Sequence, residues 1–258
     1  MSFLRSIALG FAMFSRIPMP RVEWTKENMR YMICAFPFVG MVIGLLVWVW
    51  LRLSNLLALG TIIFAAGLTC IPIAATGGIH LDGFCDTVDA LASNAEPEKK
   101  REILKDPHTG AFAVIFVCAY LLAYFALCTE IPREVDAVWI LGIIHIMIRS
   151  TVGFGVLYYP AINSQGLFFT ISSSSRRKSA AIILCLIFAS CAAILTLIDG
   201  LFMGIVITMV TIICAIYIYF MSKNKFGGMS GDISGYWLQI AELAALAAFI
   251  MVRKAESI

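Results

Sequence analysis

Seven apolar segments constrain what this chain can fold into more than any other feature of its sequence. Each is close to the roughly 20 residues that a helix needs to cross a bilayer, and they lie at about 32–51, 56–75, 111–128, 136–157, 179–198, 201–221 and 235–252. Because lipid offers no hydrogen-bonding partners, such segments are predicted to be helices rather than open strands. The chain is 61% hydrophobic and only 14% charged, which disfavours a free cytosolic enzyme. We predict an all-α polytopic transmembrane bundle of about seven helices, forming one domain over residues 1–258.

The positive charges indicate how this bundle is oriented. Fourteen of the 19 lysines and arginines lie before the first segment or in alternate loops after it, at residues 5–30, 99–105, 176–178 and 223–225. Because cytoplasmic loops are enriched in cations, we expect these segments and the N-terminus in the cytoplasm, with the chain in a bacterial inner membrane. The net charge of +3 gives no indication of nucleic-acid binding, so the predicted macromolecular environment is the lipid bilayer alone.

The predicted cytoplasmic loop at residues 76–110 carries the densest cluster of reactive groups. Asp82, Asp86 and Asp89 are spaced i, i+4 and i+7, which places them on one face of a helix. Like charges at that spacing repel, so a bound cation would compensate them. Magnesium suits hard oxygen ligands and shares its shell with substrate phosphates, whereas His80 alone is a weak indication of zinc. The alternative interpretation is a solvated helix face.

The end of the same loop adds a cation and a fourth carboxylate. Lys105 is a candidate phosphate ligand, and Asp106 is a candidate metal ligand or base. Asp106 is followed by Pro107, however, and this pair is also typical of an ordinary helix start. The two interpretations are compatible with each other.

A glycine-rich segment precedes the last apolar segment. Its glycines allow backbone amides to turn towards an anion at a helix N-terminus, and the candidates are Gly227, Gly228 and Gly231. Asp232 lies in the same segment and could join the metal. The alternative is a flexible turn with Ser234 as the helix cap.

Two charges lie inside predicted spanning segments. Arg149 is about two turns from the cytoplasmic end of the fourth segment, and Glu242 is about two turns into the seventh. Charges within a membrane are costly and are usually paired or functional. Three interpretations therefore stay open: Arg149 pairs with Glu242, it faces a substrate phosphate, or it extends towards the lipid headgroups.

Together these motifs resemble the cobalamin 5′-phosphate synthase family, also called adenosylcobinamide-GDP ribazoletransferases. The resemblance runs in order along nearly the whole chain. The residues that carry it are FSRIPMP at 14–20, FPFVG at 36–40, GGIHLDGFCDTVD at 77–89, Lys105-Asp106 with Gly110, and GGMSGDISG at 227–235 followed by Glu242.

The resemblance implies a reaction of vitamin B12 assembly. The adenosylcobinamide-phosphate group passes from adenosylcobinamide-GDP to a ribose hydroxyl of α-ribazole or its 5′-phosphate, and GMP is released. Mg²⁺ is the implied cofactor. A homo-oligomer, or an association with other enzymes of nucleotide-loop assembly, is compatible with this role.

The resemblance also implies roles for the residues already singled out. Asp82, Asp86 and Asp89 would hold Mg²⁺ against the diphosphate, with Asp232 as a further ligand. Lys105 and Arg149 would neutralise phosphate oxygens. Either His80 or Asp106 would accept the proton of the attacking hydroxyl, and the sequence leaves that choice open.

Three rival functions are weighed against this one. A CDP-alcohol phosphatidyltransferase also places acidic motifs at cytoplasmic helix ends, but residues 82–89 do not follow its spacing. A prenyltransferase motif would need adjacent acids, which this segment lacks. A transporter is favoured only by the embedded charges, whereas the long aspartate-rich loop favours chemistry.

Overall fold

The computed structural model describes residues 2–256, and helices account for the regular structure within that range. One isolated bridge joins Ala161 to Met229. The helices are α1 (Ser2–Phe14), α2 (Lys26–Met29), a 3-10 turn (Met32–Ala35), α3 (Phe36–Leu56), α4 (Thr61–Thr76), α5 (Ile79–Ala92), α6 (Pro97–Ile103), α7 (Ala111–Thr129), α8 (Val135–Tyr158), α9 (Leu167–Ser174), α10 (Arg177–Phe226) and α11 (Gly231–Glu256). The predicted all-α class is confirmed.

Five continuous helical stretches in the described part of the chain are long and apolar enough to cross a membrane: α3 with its preceding turn, α7, α8, α10 and α11. A sixth crossing comes from the pair α4 and α5, which meet at an angle of 94°. Within this pair α4 is the apolar member, whereas α5 carries three aspartates. The protein is therefore a multi-pass membrane protein.

Helix α10 is 50 residues long and consists of two antiparallel legs. The backbone leaves helical geometry at Asp199 and at Gly200, which has φ of +85°, a value that favours glycine. A Cβ built on Gly204 would lie 3.1 Å from Cα of Thr196. Eight residues of straight helix would separate these positions by about 12 Å, so the two legs fold back on each other. This hairpin brings the crossings to the predicted number of about seven.

Helix α8 lies at the centre of the bundle. Over an apolar stretch of 18 residues in α8, 83% of the residues are buried, against 22% over the corresponding stretches of α7 and α10. The less buried helices leave apolar side chains facing outwards, as lipid-facing helices do. The core of the protein therefore forms around α8, with α3, α10 and α11 packed against it.

The loops with most of the cations meet at one end of the bundle. The backbone N–H of Arg176 donates to the carbonyl of Arg30 over 3.1 Å, and Arg101 donates to the carbonyl of Phe226 over 3.2 Å. The N–H of Met229 donates to the carbonyl of Pro160 over 2.7 Å. Four segments that are far apart in sequence are thereby joined on one side.

Candidate active site

The acidic helix α5 packs directly against the start of α11. A Cβ built on Gly83 would lie 2.7 Å from the carbonyl oxygen of Asp232, and one built on Gly235 would lie 2.7 Å from the carbonyl oxygen of His80. Only glycine allows the two backbones to approach so closely. The predicted acidic segment and the predicted glycine-rich segment therefore form adjoining parts of one site.

A cavity of about 440 Å³ opens beside this contact. Its charged lining residues are two carboxylates, Asp82 and Asp232, and two cations, Arg101 and Lys105. His80, Ser230, Gly231 and Ser234 lie on the same surface. The apolar remainder includes Phe14, Phe36, Val152, Val156, Phe168 and Phe169. The cavity thus combines groups that bind a charged diphosphate with a wall that suits an apolar body.

Not all predicted metal ligands face this cavity. Asp86 and Asp89 follow on α5 but do not line it. The carboxylate of Asp89 instead lies directly over Gly110, where an added Cβ would collide with it. Asp82, Asp86 and Asp89 share one face of α5, and Asp82 lines the cavity together with Asp232, so the negative charge of the helix face continues to the cavity.

The carboxylates fit a Mg²⁺ ion that is bound together with the substrate better than they fit a metal ion that the protein holds by itself. Among residues 3–256 no three His, Cys, Asp or Glu side chains are placed to hold one metal ion. Within the same range no cation forms an ion pair with Asp82, Asp86, Asp89 or Asp232. Mg²⁺ is usually bound through one or two carboxylates plus substrate phosphates. Asp82 and Asp232, on one cavity, match that requirement.

The structure separates the two candidate bases. His80 lines the cavity, is 8% exposed, and has an Nε2 without a hydrogen-bond partner in the described part of the chain. A neutral imidazole has one ring nitrogen that can accept a hydrogen, and Nε2 of His80 is free of other partners in the described residues.

Asp106 is placed differently. Its side chain is 53% exposed, does not line the cavity, and accepts the backbone N–H of His108 at 2.9 Å and contacts the His108 ring at 2.7 Å. These contacts lower the pKa of Asp106. Of the two candidates, His80 is therefore the one at the site.

Arg149 does not reach the cavity. Its Nη1 lies 2.7 Å from Oε1 of Glu242, and Nδ1 of His145 lies 2.8 Å from the same oxygen. Arg149 and Glu242 are 1% and 2% exposed. Of the three interpretations of Arg149, direct pairing with Glu242 is the one that the structure shows. The expectation that Arg149 also contacts a substrate phosphate stays a prediction.

This ion pair lies behind His80. A small enclosed space of about 10 Å³ is bordered by His80, Arg149, Glu242 and Gln239, with Tyr120 and Tyr124 beside them. That volume is at the lower limit for one water molecule. The ion pair and His80 therefore border the same small space, with no hydrogen bond to Nε2 of His80 in the described part of the chain.

The predicted glycines divide into two groups. Gly231 lines the cavity, whereas Gly227 and Gly228 do not. Gly227, with φ of +77°, ends α10 and directs the chain towards Met229, which is held by the loop after α8. These two glycines shape the loop that carries Ser230 and Asp232 into the site.

Arg101 lines the cavity but was not predicted as a site residue. The signal that could have identified Arg101 is its position in the cation-rich loop at residues 99–105.

The comparisons with known proteins all indicate the same family. Residues 6–250 match the family described as cobalamin-5-phosphate synthase. A protein named adenosylcobinamide-GDP ribazoletransferase from Lachnoclostridium phytofermentans is 36% identical over 249 residues, which cover 95% of this chain and 93% of the relative. Proteins of the same name from Clostridium botulinum (strain Eklund 17B) and Listeria welshimeri are 31% and 29% identical, with 95% and 96% of this chain covered and 96% and 98% of those relatives. No solved structure matches.

Proposed function

The chain belongs to the cobalamin-5-phosphate synthase family, and we propose that it transfers adenosylcobinamide-phosphate from adenosylcobinamide-GDP to a ribose hydroxyl of α-ribazole or its 5′-phosphate. The products are adenosylcobalamin, or its 5′-phosphate, and GMP. One observation carries the proposal beyond the family match: Asp82, Asp232, Arg101 and Lys105 share one cavity with a large apolar wall. The rival membrane transferases and a transporter are not favoured by these comparisons.

The transfer exchanges one phosphorus–oxygen bond for another. The acceptor hydroxyl oxygen bonds to the phosphorus attached to cobinamide, the bond from that phosphorus to the bridging oxygen breaks, and GMP leaves with that oxygen. The hydroxyl proton passes to a base, for which His80 is the candidate on the cavity wall. Arg101 and Lys105 neutralise the charge on the diphosphate, because phosphoryl transfer depends mainly on positioning and electrostatics.

Magnesium is the proposed cofactor. Asp82 and Asp232 would hold it at the cavity, and Asp86 and Asp89 would add negative charge from the same helix face. When bound, Mg²⁺ neutralises phosphate oxygens and orients the diphosphate. Arg149 is assigned a positioning role through its contacts with Glu242 and the space beside His80.

The cellular placement is also a proposal. The cation-rich loops and the cavity lie at the same end of the bundle, which supports a cytoplasmic site and a cytoplasmic N-terminus in the bacterial inner membrane. A homo-oligomer, or an association with other enzymes of nucleotide-loop assembly, remains a prediction of the family resemblance.

GMP release by the purified protein in detergent tests the proposal. With adenosylcobinamide-GDP, α-ribazole 5′-phosphate and Mg²⁺, we expect turnover that EDTA abolishes and Mg²⁺ restores. Asp82→Asn and Asp232→Asn should each lower kcat/KM by on the order of 10²–10³-fold, since each removes charge at the reacting diphosphate. Asp136→Asn is the matched control, because Asp136 is exposed at the start of α8 and does not line the cavity.

Two results would reject this proposal. The first is a folded wild-type protein that releases no GMP from the activated corrinoid. The second is turnover by Asp82→Asn and Asp232→Asn that equals the turnover of Asp136→Asn.

A further inference from the structure

A second cavity shares Asp82 with the first. It has a volume of about 690 Å³ and opens between α1, the turn that joins α4 to α5, and α7. Its lining includes Ser15, Arg16, Gly77, Gly78 and Cys85. Asp82, Ile79 and Met13 line both this cavity and the first one. Asp82, which is predicted to bind the metal, therefore borders both cavities.

Arg16 is the cation of this second cavity. Its backbone N–H donates to the carbonyl of Ala75 over 2.9 Å, which ties the segment after α1 to the end of α4. Its side chain is exposed and lies across Gly77, so that a Cβ on Gly77 would stand 2.9 Å from Cδ of Arg16. Within the described range the Arg16 guanidinium forms no ion pair and no hydrogen bond. A positioned arginine without a counter-ion suits a phosphate.

The proposed reaction requires two substrates to meet at one phosphorus atom. In phosphoryl transfer the attacking and leaving oxygens lie roughly in line, so the acceptor and the departing nucleotide approach from opposite sides. The first cavity already holds the two cations and the apolar wall that suit the diphosphate donor. The second cavity provides a separate approach to Asp82 and carries its own cation.

We infer that the second cavity is the acceptor site and that Arg16 binds the 5′-phosphate of α-ribazole 5′-phosphate. The inference rests on the proposed function and deepens it, because it assigns a place and a recognition residue to one substrate. The product named in the family description carries a 5-phosphate, which the acceptor would supply. A lipid headgroup offers similar phosphate chemistry, and the experiment separates that source from the acceptor.

The test compares phosphorylated and unphosphorylated acceptors in zwitterionic detergent without anionic lipid. For wild type, Arg16→Gln and Arg16→Lys, kcat/KM is measured with α-ribazole 5′-phosphate and with α-ribazole. We expect Arg16→Gln to lower the ratio of the two values by at least about tenfold, because a charge-assisted contact to the phosphate is lost. Arg16→Lys should keep part of the preference, since a point charge remains. Arg21→Gln, an exposed cation outside the cavity, should leave the ratio unchanged.

A pair of glycine variants tests the same contact without removing the cation. Gly77 and Gly78 both have φ in the left-handed region, at +66° and +78°, so alanine strains the backbone at either position. Only at Gly77 would the added Cβ meet the Arg16 side chain, whereas the space beside Gly78 is open. Gly77→Ala should therefore reduce the preference for the phosphorylated acceptor more than Gly78→Ala does.

Cysteine labelling provides a binding measurement that is independent of turnover. Cys85 lines the second cavity and is partly exposed. α-Ribazole 5′-phosphate should slow maleimide labelling of Cys85, read by mass spectrometry, in wild type and much less in Arg16→Gln.

Several outcomes would overturn the inference. An equal loss with both acceptors in Arg16→Gln would exclude recognition of the acceptor phosphate. An effect of Arg16→Gln seen only in nanodiscs with anionic lipid would identify a headgroup as the ligand. Unprotected Cys85 would exclude the cavity. Each outcome leaves GMP release by the wild type intact, whereas failure of the proposed function removes GMP release altogether.

Discussion

Removing the negative charge of Glu242 should destabilise the protein strongly, and removing the positive charge of Arg149 as well should restore much of the loss. At the observed distance of 2.7 Å the attraction of the pair is about 6 kcal/mol with an effective dielectric constant near 20. Burying each ion costs several kcal/mol, so the intact pair contributes little net free energy. In Glu242→Gln, however, the arginine stays charged and buried without its counter-ion.

We therefore expect Glu242→Gln to lower the free energy of unfolding by about 3–5 kcal/mol, which is roughly two to nearly four orders of magnitude in the unfolding equilibrium. Arg149→Met should cost less, because Glu242 keeps its contact with His145 at 2.8 Å. The double variant Arg149→Met/Glu242→Gln should be more stable than Glu242→Gln alone by at least about 2 kcal/mol.

Reversible unfolding by SDS in mixed micelles measures these differences. Glu102→Gln is the control, because Glu102 pairs with Lys99 at the surface, where the side chains are 64% and 67% exposed. An exposed pair contributes about 0–1 kcal/mol. The reasoning is refuted if Glu242→Gln costs no more than Glu102→Gln, or if the double variant loses the full sum of the two single losses.

Two further predictions concern glycines. Gly110→Ala should displace the carboxylate of Asp89 and lower GMP release by at least about tenfold with little loss of stability, because the colliding group is the end of a flexible side chain. Gly60→Ala is the matched control, since Gly60 also precedes a helix with extended φ and ψ but has open space around it; equal activity of the two variants would contradict a role for Asp89. Gly200→Ala should lower the free energy of unfolding by about 1–3 kcal/mol, because alanine strains the backbone at φ of +85° although the space around it is open. The same Gly60→Ala protein is the control. An unchanged stability of Gly200→Ala would contradict the tight turn between the legs of α10.

Local sequence patterns were sufficient for the helical architecture. Hydrophobic length decides which segments enter a bilayer, and the break at Asp199 and Gly200 is visible as a polar pair between two apolar runs. The bend of 94° between α4 and α5, at Gly77 and Gly78, was not predicted. Each of these features depends on residues that are close together in the chain.

Hydropathy and residue spacing were enough to predict the helical class, the positions of the apolar segments and the acidic face of α5. Three contacts became visible only in the folded protein: Asp232 lies against Gly83, Arg149 faces Glu242 rather than the cavity, and His80 rather than Asp106 lines the cavity. Periodicity and hydropathy report the environment of neighbouring residues. Contacts between residues about 90 to 150 positions apart depend instead on how complete helices pack, and the sequence pattern of one helix does not specify its partner's rotation or depth.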